Sequence, residues 1–304
     1  MRSNYNQETI IGRLYQHNLQ IKKVENSASP NFGKTFINGT IDVATDEEML
    51  NIITVHYTYV TEQTKNGSTH PTFNILKRII EEGKTIVLDG KDKAWKLRCT
   101  PAIALNDFYP QGKEDLVSQP RHEGGFVSLV TELPEEKKRN LFKTDAFITS
   151  TTRSEDDSYL SVKGAIFNFK NDILPFTFVM RNPEGIKYLE SLNIDPSNPL
   201  YTMVWGHIES TTVSMNTVTE SAFGEPAVDT VERKVKEWVI TGMNTEPYDF
   251  GDPSVMTVED VKAASQNRNV MLAETKKRSE EYYNSKKTSG GAPNMPIPTG
   301  GFNF

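Results

Sequence analysis

The chain has 304 residues, 36 % of them hydrophobic and 10 % aromatic, and a net charge of −6. That length allows one large or two ordinary domains with a real core, and no apolar run is long enough for a transmembrane helix, so a helical membrane protein is excluded. The acidic balance argues against a protein that grips duplex DNA mainly by cladding phosphates with Lys and Arg. It leaves single-strand binding open, because there stacking carries much of the energy and only one groove has to be basic.

Residues 1–31 read as an N-terminal extension. Met1 to Gln20 scatters charged and amide side chains among Ile10, Ile11, Leu14 and Leu19, without the unbroken apolar stretch of a signal peptide. The single cysteine, Cys99, excludes an internal disulfide and leaves too few thiolates for a structural zinc site. Both features lead us to expect a cytoplasmic protein.

From residue 32 to residue 250 extended segments alternate with turns. Lys34–Val43 puts Ile37, Ile41 and Val43 on one face, and Ile53, Val55, Tyr57 and Tyr59 repeat that spacing after an acidic turn. The same pattern predicts strands over Trp95–Leu105, Phe126–Val130, Lys143–Thr152, Tyr159–Phe169, Ile173–Met180, Tyr201–Ser210 and Lys234–Gly242. Short helices are predicted over Phe73–Glu82 and Pro183–Leu192. So many strands with so little long helix exclude a doubly wound α/β fold and point to a β-rich α+β protein. We expect one elaborated or two tandem five-stranded barrels, with any subdomain boundary near residues 110–125.

After Pro247 the character changes. Residues 251–288 read as one long helix with Thr257 as N-cap and Asp260 three residues on. Its apolar set, Val258, Val261 and Ala264, is thin and fades toward Tyr282 and Tyr283, so its second half is expected to project from the body or meet a partner. The helix serves either as a dimer element, which would make a homo-oligomer, or as a packed cap. Residues 289–304 read as a flexible Gly/Pro tail.

No catalytic centre is legible. The five histidines are far apart and none belongs to a metal pattern. There is no nucleophile elbow, P-loop or dinucleotide fingerprint. The acidic pairs fall in turns, where solvated charge is the ordinary outcome. We therefore expect a binding protein without enzymatic activity, cofactor or metal. Cys99, on a strand face with Leu97 and Ile103, reads as core.

The informative pattern is aromatic and basic residues interleaved along the strands and their flanks. Such sheets offer rings to bases and cations to phosphates, and each stacked base is worth roughly 1–3 kcal/mol. The candidate aromatic contacts are Tyr59, Trp95, Tyr109 and Phe126. The candidate cations are Lys96, Arg98, Arg121, Lys143, Arg153 and Lys163. Trp205 and Trp238 come second because mid-strand rings more often belong to the core.

Three segments, LRCTPAIALNDFYP (Leu97 to Pro110), YLSVKGAIFNFKNDILPFTF (Tyr159 to Phe178) and LYTMVWGHIES (Leu200 to Ser210), resemble a family of phage proteins of Gram-positive hosts described as single-stranded DNA-binding. EGGFV (Glu123 to Val127), ESAFGE (Glu220 to Glu225) and ITG…EPY (Ile240 to Tyr248) belong to the same pattern. The resemblance implies an OB fold, a role in phage DNA replication or recombination in the infected bacterial host cell, and single-stranded DNA as partner. Val204 to Gly206 is similar to a strand of bacterial single-stranded DNA-binding proteins. The tail is similar in plan to theirs, although it lacks their acidic tip, and it makes Phe302 and Phe304 candidates for docking replication or recombination proteins. The reading from another class is a virion structural protein of capsid or tail, which would ignore oligonucleotides. A nuclease or recombinase subunit would need clustered carboxylates.

Overall fold

The structure is a computed structural model and describes residues 4–64, 66–219, 223 and 227–288. The stretch set apart above as an extension supplies the central strand of the molecule, β1 (Asn6–His17). Its inward positions carry Glu8, Ile10, Gly12 and Leu14, all buried. A carboxylate and a glycine alternating with two aliphatic residues hide the apolar period of two by which strands are recognised.

The elements that follow are β2 (Gln20–Lys23), β3 (Thr35–Ala44), β4 (Ile52–Thr61), α1 (Pro71–Glu82), α2 (Ile86–Asp89), β5 (Lys96–Phe108) and β6 (Val117–Leu129). Then come β7 (Asn140–Arg153), β8 (Leu160–Phe167), β9 (Ile173–Met180), α3 (Pro183–Ser191), β10 (Leu200–Thr219), β11 (Ala227–Met243) and α4 (Val258–Thr288). The chain is thus mostly β-strand with a C-terminal helix.

The strand pairings close on themselves twice. The first ring runs β1, β3, β4, β6, β5 and back to β1. The second runs β7, β8, β9, β11, β10 and back to β7. In each ring the third and fifth strands pair in parallel, the other pairs are antiparallel, and a helix lies between the third and fourth strands. The chain passes from one ring to the other between Leu129 and Asn140. Residues 110–125, the stretch expected to hold any subdomain boundary, hold the tip and second strand of the β5–β6 hairpin, with Gly112 at φ 73° in its turn.

No tether separates the rings. Beyond its partners in the first ring, β1 pairs with β7 through Asn6↔Thr144, Glu8↔Phe142 and Ile10↔Asn140. Inward residues of one ring therefore face inward residues of the other. A single core cluster takes Ile10, Ile41 and Leu97 from the first ring and Phe142, Phe178 and Trp238 from the second. Cys99 lies in it as expected, its thiol pushed up to about 12 by burial.

Where the rings meet, the fully buried Glu8 carboxylate accepts from Nδ1 of His122 on β6 at 2.7 Å and from Nε1 of Trp238 on β11 at 2.8 Å. The crossover segment is tied down by Arg139, which donates to the Pro134 carbonyl at 2.7 Å and to Glu47 at 2.8 Å. Lys91 contacts the same Glu47 carboxylate at 2.8 Å. Hydrogen bonds from Lys91 and Arg139 hold the Glu47 carboxyl down at about 2.

The long helix begins as its sequence predicts. Thr257 Oγ1 accepts from the Asp260 amide at 3.1 Å, and Asp260 accepts from the Thr257 amide at 2.9 Å. This reciprocal cap is worth about 1 kcal/mol. Val255, Met256 and Val261 pack on Phe147, Phe167 and Tyr201 of the second ring. Farther along, Arg268 pairs with Asp107 at 2.7 Å, and in the second half Ser279 donates to the Tyr109 carbonyl at 3.2 Å. These polar ties to the far end of β5 replace the apolar stripe whose absence suggested projection.

Glu8→Gln places an amide N–H against one of two buried N–H donors, and urea unfolding should show a loss of at least about 2 kcal/mol. Glu47, depressed in the folded state, contributes stability that is full above the ordinary glutamate range near pH 4.3 and is lost as pH falls toward about 2. Glu47→Gln should flatten the acid limb of the stability curve over that window, measured by denaturant midpoints at a series of pH values.

Candidate nucleic-acid interface

The inward faces of both rings lie on one side of the β1–β7 ladder, so the opposite side is a single outer sheet through β6, β5, β1, β7 and β10. Register decides what stands on it. Phe126 is opposite Thr100, and Arg98 lies between Ser128 and Ile11. Lys96 faces Arg13. Across β1, Thr9 faces Leu141 and Gln7 faces Lys143, which in turn face His207 and Trp205 of β10.

Two aromatic rings flank this strip, Phe126 at 66 % exposure and Trp205 at 38 %. Trp205 lies against Gly242 of β11, where an added Cβ would sit 2.5 Å from the indole nitrogen, so a side chain there would displace the ring. Tyr5 is also exposed, with the Lys143 ammonium 5.7 Å from its ring centre.

Charge on the strip has one sign. Arg13, Lys96, Arg98 and Lys143 stand on it, and among the described residues none is held by a carboxylate. Two acids of the flanking strands β7 and β10 are occupied. Asp145 is fully buried, accepting from the Tyr5 amide and the Tyr248 hydroxyl at 2.7 Å each. Glu209 at the margin is bound by His207 at 2.7 Å and Arg181 at 3.4 Å. The C-terminal segment covers the adjoining Phe147 and Tyr201, while among the described residues Phe126, Arg98, Leu141, Lys143 and Trp205 are exposed beside it.

Of the residues singled out from the sequence, Lys96, Arg98, Phe126 and Lys143 meet on this sheet, with Trp205 promoted from second choice. The others stand elsewhere. Tyr59 packs on Phe36 at 4.7 Å between ring centres, at the far end of β4. Arg121 is held by Glu123 at 2.8 Å, and Arg153 is held by both oxygens of Glu190 at 3.0 and 2.8 Å. Trp95 is half-buried under Arg78, and Tyr109 lies beneath Lys276 and Ser279 of α4. Lys163 is exposed on β8 between Ser150 and Thr177. Trp238 is 3 % exposed and spends its N–H on Glu8, so its place is in the core. Phe302 and Phe304 lie outside the described residues.

Tyr5, Ile11 and Arg13 escaped the sequence reading because their neighbours on β5 and β7 come from far along the chain. His56, on the outer face of β4, is lowered to about 4, first by burial and then by Arg121, His122 and Lys236. Among the described residues no three His, Cys, Asp or Glu side chains converge as a metal ion requires. No helix among them is long and apolar enough to cross a membrane.

A family model described as YorF matches residues 6–278. No curated protein matches in sequence. Among solved structures, the wild-type single-stranded DNA binding protein from Thermus aquaticus is 10 % identical at a TM-score of 0.46, over 84 % of this chain and 98 % of that one. A deletion mutant of that protein gives 11 % and 0.46, over 83 % and 100 %. Scores of this size carry no residue-by-residue correspondence.

The contrast between platform and core aromatics has a direct check by denaturant unfolding. Phe126→Ala should change stability by less than about 0.5 kcal/mol, as for an ordinary surface site. Trp238→Ala should cost about 3–5 kcal/mol.

Proposed function

The chain belongs to the YorF family, and on the geometry of its shared outer sheet we propose that it binds single-stranded DNA with little preference for sequence. One observation supports the reading: a strip bearing Arg13, Lys96, Arg98 and Lys143, none of them held by a carboxylate among the described residues, flanked by Phe126 and Trp205, on a protein of net charge −6. A duplex hides its bases, so exposed rings add nothing there. A single strand gives its bases to the rings and its phosphates to the cations.

We read each ring as an OB-type barrel, since five strands close in a Greek-key order with a helix between the third and fourth. OB barrels bind oligonucleotides over their second and third strands. In the first ring of this chain those are β3 and β4, where Asp42 stands on the outer face and neighbouring Arg121 is tied to Glu123. The cations without a carboxylate partner instead fall on β5, β1 and β7, beside Trp205 of β10. The setting we propose is phage DNA replication or recombination in the cytoplasm of the infected host, as the sequence resemblance implies.

Fluorescence anisotropy of labelled oligo-dT and a matched duplex at two salt concentrations tests this. Oligo-dT should bind tightly, the duplex weakly. Trp205→Ala should cost roughly 1–3 kcal/mol of binding, and Arg98→Ala should lower the salt slope by about 0.7. Arg153→Ala should change neither. Loss on Tyr59→Ala with none on Trp205→Ala or Phe126→Ala would move the strand to the β3–β4 face. No binding at all would favour the virion structural reading.

A further inference from the structure

We infer that the two rings hold one strand of DNA as a single uninterrupted site, rather than as two sites that fill independently. This rests on the single-strand reading above and adds to it a stoichiometry and a minimum length. Two barrels joined by a flexible tether present separate surfaces, coupled only through the tether's effective concentration. Here the surface is one sheet. The strand β1 pairs on one edge with β5 of its own ring and on the other with β7 of the second, and the register holds side chains of the same face in rows across the junction.

Arg98 of the first ring and Lys143 of the second stand on either side of β1, with Ile11, Thr9 and Leu141 between them. A strand leaving Arg98 meets apolar floor and then cation, with no exposed carboxylate on the way. The junction also does not hinge, because its underside is the common core closed by Glu8, His122 and Trp238. Four strand spacings separate Phe126 on β6 from Trp205 on β10. At about 4.8 Å each that is about 20 Å, the length of about six stacked nucleotides at a rise of about 3.4 Å. A trinucleotide reaches only part of the strip.

Titrations of the full chain with dT3 and dT15, followed by anisotropy and by tryptophan quenching, separate the two cases. One dT15 should saturate each chain, with at least about tenfold higher affinity than dT3, since each additional stacked base contributes roughly 1–3 kcal/mol. Phe126→Ala and Trp205→Ala should each weaken the whole dT15 isotherm about tenfold. Together they should weaken it about a hundredfold, because distant contacts to one ligand add. Two dT15 per chain, or a variant that abolishes one class of sites and leaves another at full affinity, would overturn the inference while leaving single-strand binding in place. If wild-type protein binds no dT15, there is no class of sites to count, and the single-strand reading falls together with this one.

Discussion

A carboxylate cut off from water must have its charge met by donors, and the Glu8 carboxylate is met by one donor from each ring. The arrangement is sensitive to register. A slip of β1 by a single residue against β7 would carry Glu8 to the outer face and bring Gln7 or Thr9 inside, leaving the His122 and Trp238 N–H groups unpaired. The polar junction therefore selects one alignment among those that the aliphatic neighbours alone would tolerate. With that alignment set, both barrel interiors fall on one side and the outward residues of five strands become neighbours.

Charge is sorted as sharply as polarity. Arg139, Arg153, Arg181 and Arg268 are each matched by carboxylates, on Glu47, on Glu190 with Asp157, on Glu237 with Glu209, and on Asp107. The cations of the outer sheet, Arg13, Lys96, Arg98 and Lys143, have no carboxylate partner among the described residues, on a chain whose net charge is −6. On the proposed reading a polyanion approaching this acidic protein is drawn to that strip. At physiological salt that field reaches only about 8 Å, so it acts as local guidance and not as long-range capture.

Much of this was legible in the sequence. Alternation of β-branched and aromatic residues marks most of the strands, and Thr257 with Asp260 marks the start of α4. What stayed hidden follows from how the signals arise. β1 places Glu8 and Gly12 inward, so its period is masked. β6 extends back to Val117, ahead of the segment expected, because Pro120, Arg121, Glu123 and two glycines lack strand character and take their conformation from β5. The candidate site was partly legible: cation next to aromatic is a local pattern, and four of the residues it picks out, Lys96, Arg98, Phe126 and Lys143, share the outer sheet. It also gathered Arg121, Arg153 and Tyr109, whose partners Glu123, Glu190 and α4 are set by tertiary structure. Trp205 and Trp238 have similar strand contexts, and only the packing tells them apart, one resting on a glycine and the other bonded to Glu8.

The shared strand also orders the making of the protein. Within the first ring β1 is the strand whose pairing is finished last, since the backbone N–H and C=O groups along residues 6–10 wait for residues 140–144, made after the ring's other strands. Until then the first barrel carries an open edge at Thr9-Ile10-Ile11, apolar and β-branched, able to pair with any extended chain that reaches it. The second half of the chain thus shields the first during synthesis. A fragment ending after β6 would keep its five-stranded ring and expose the edge that the whole protein conceals.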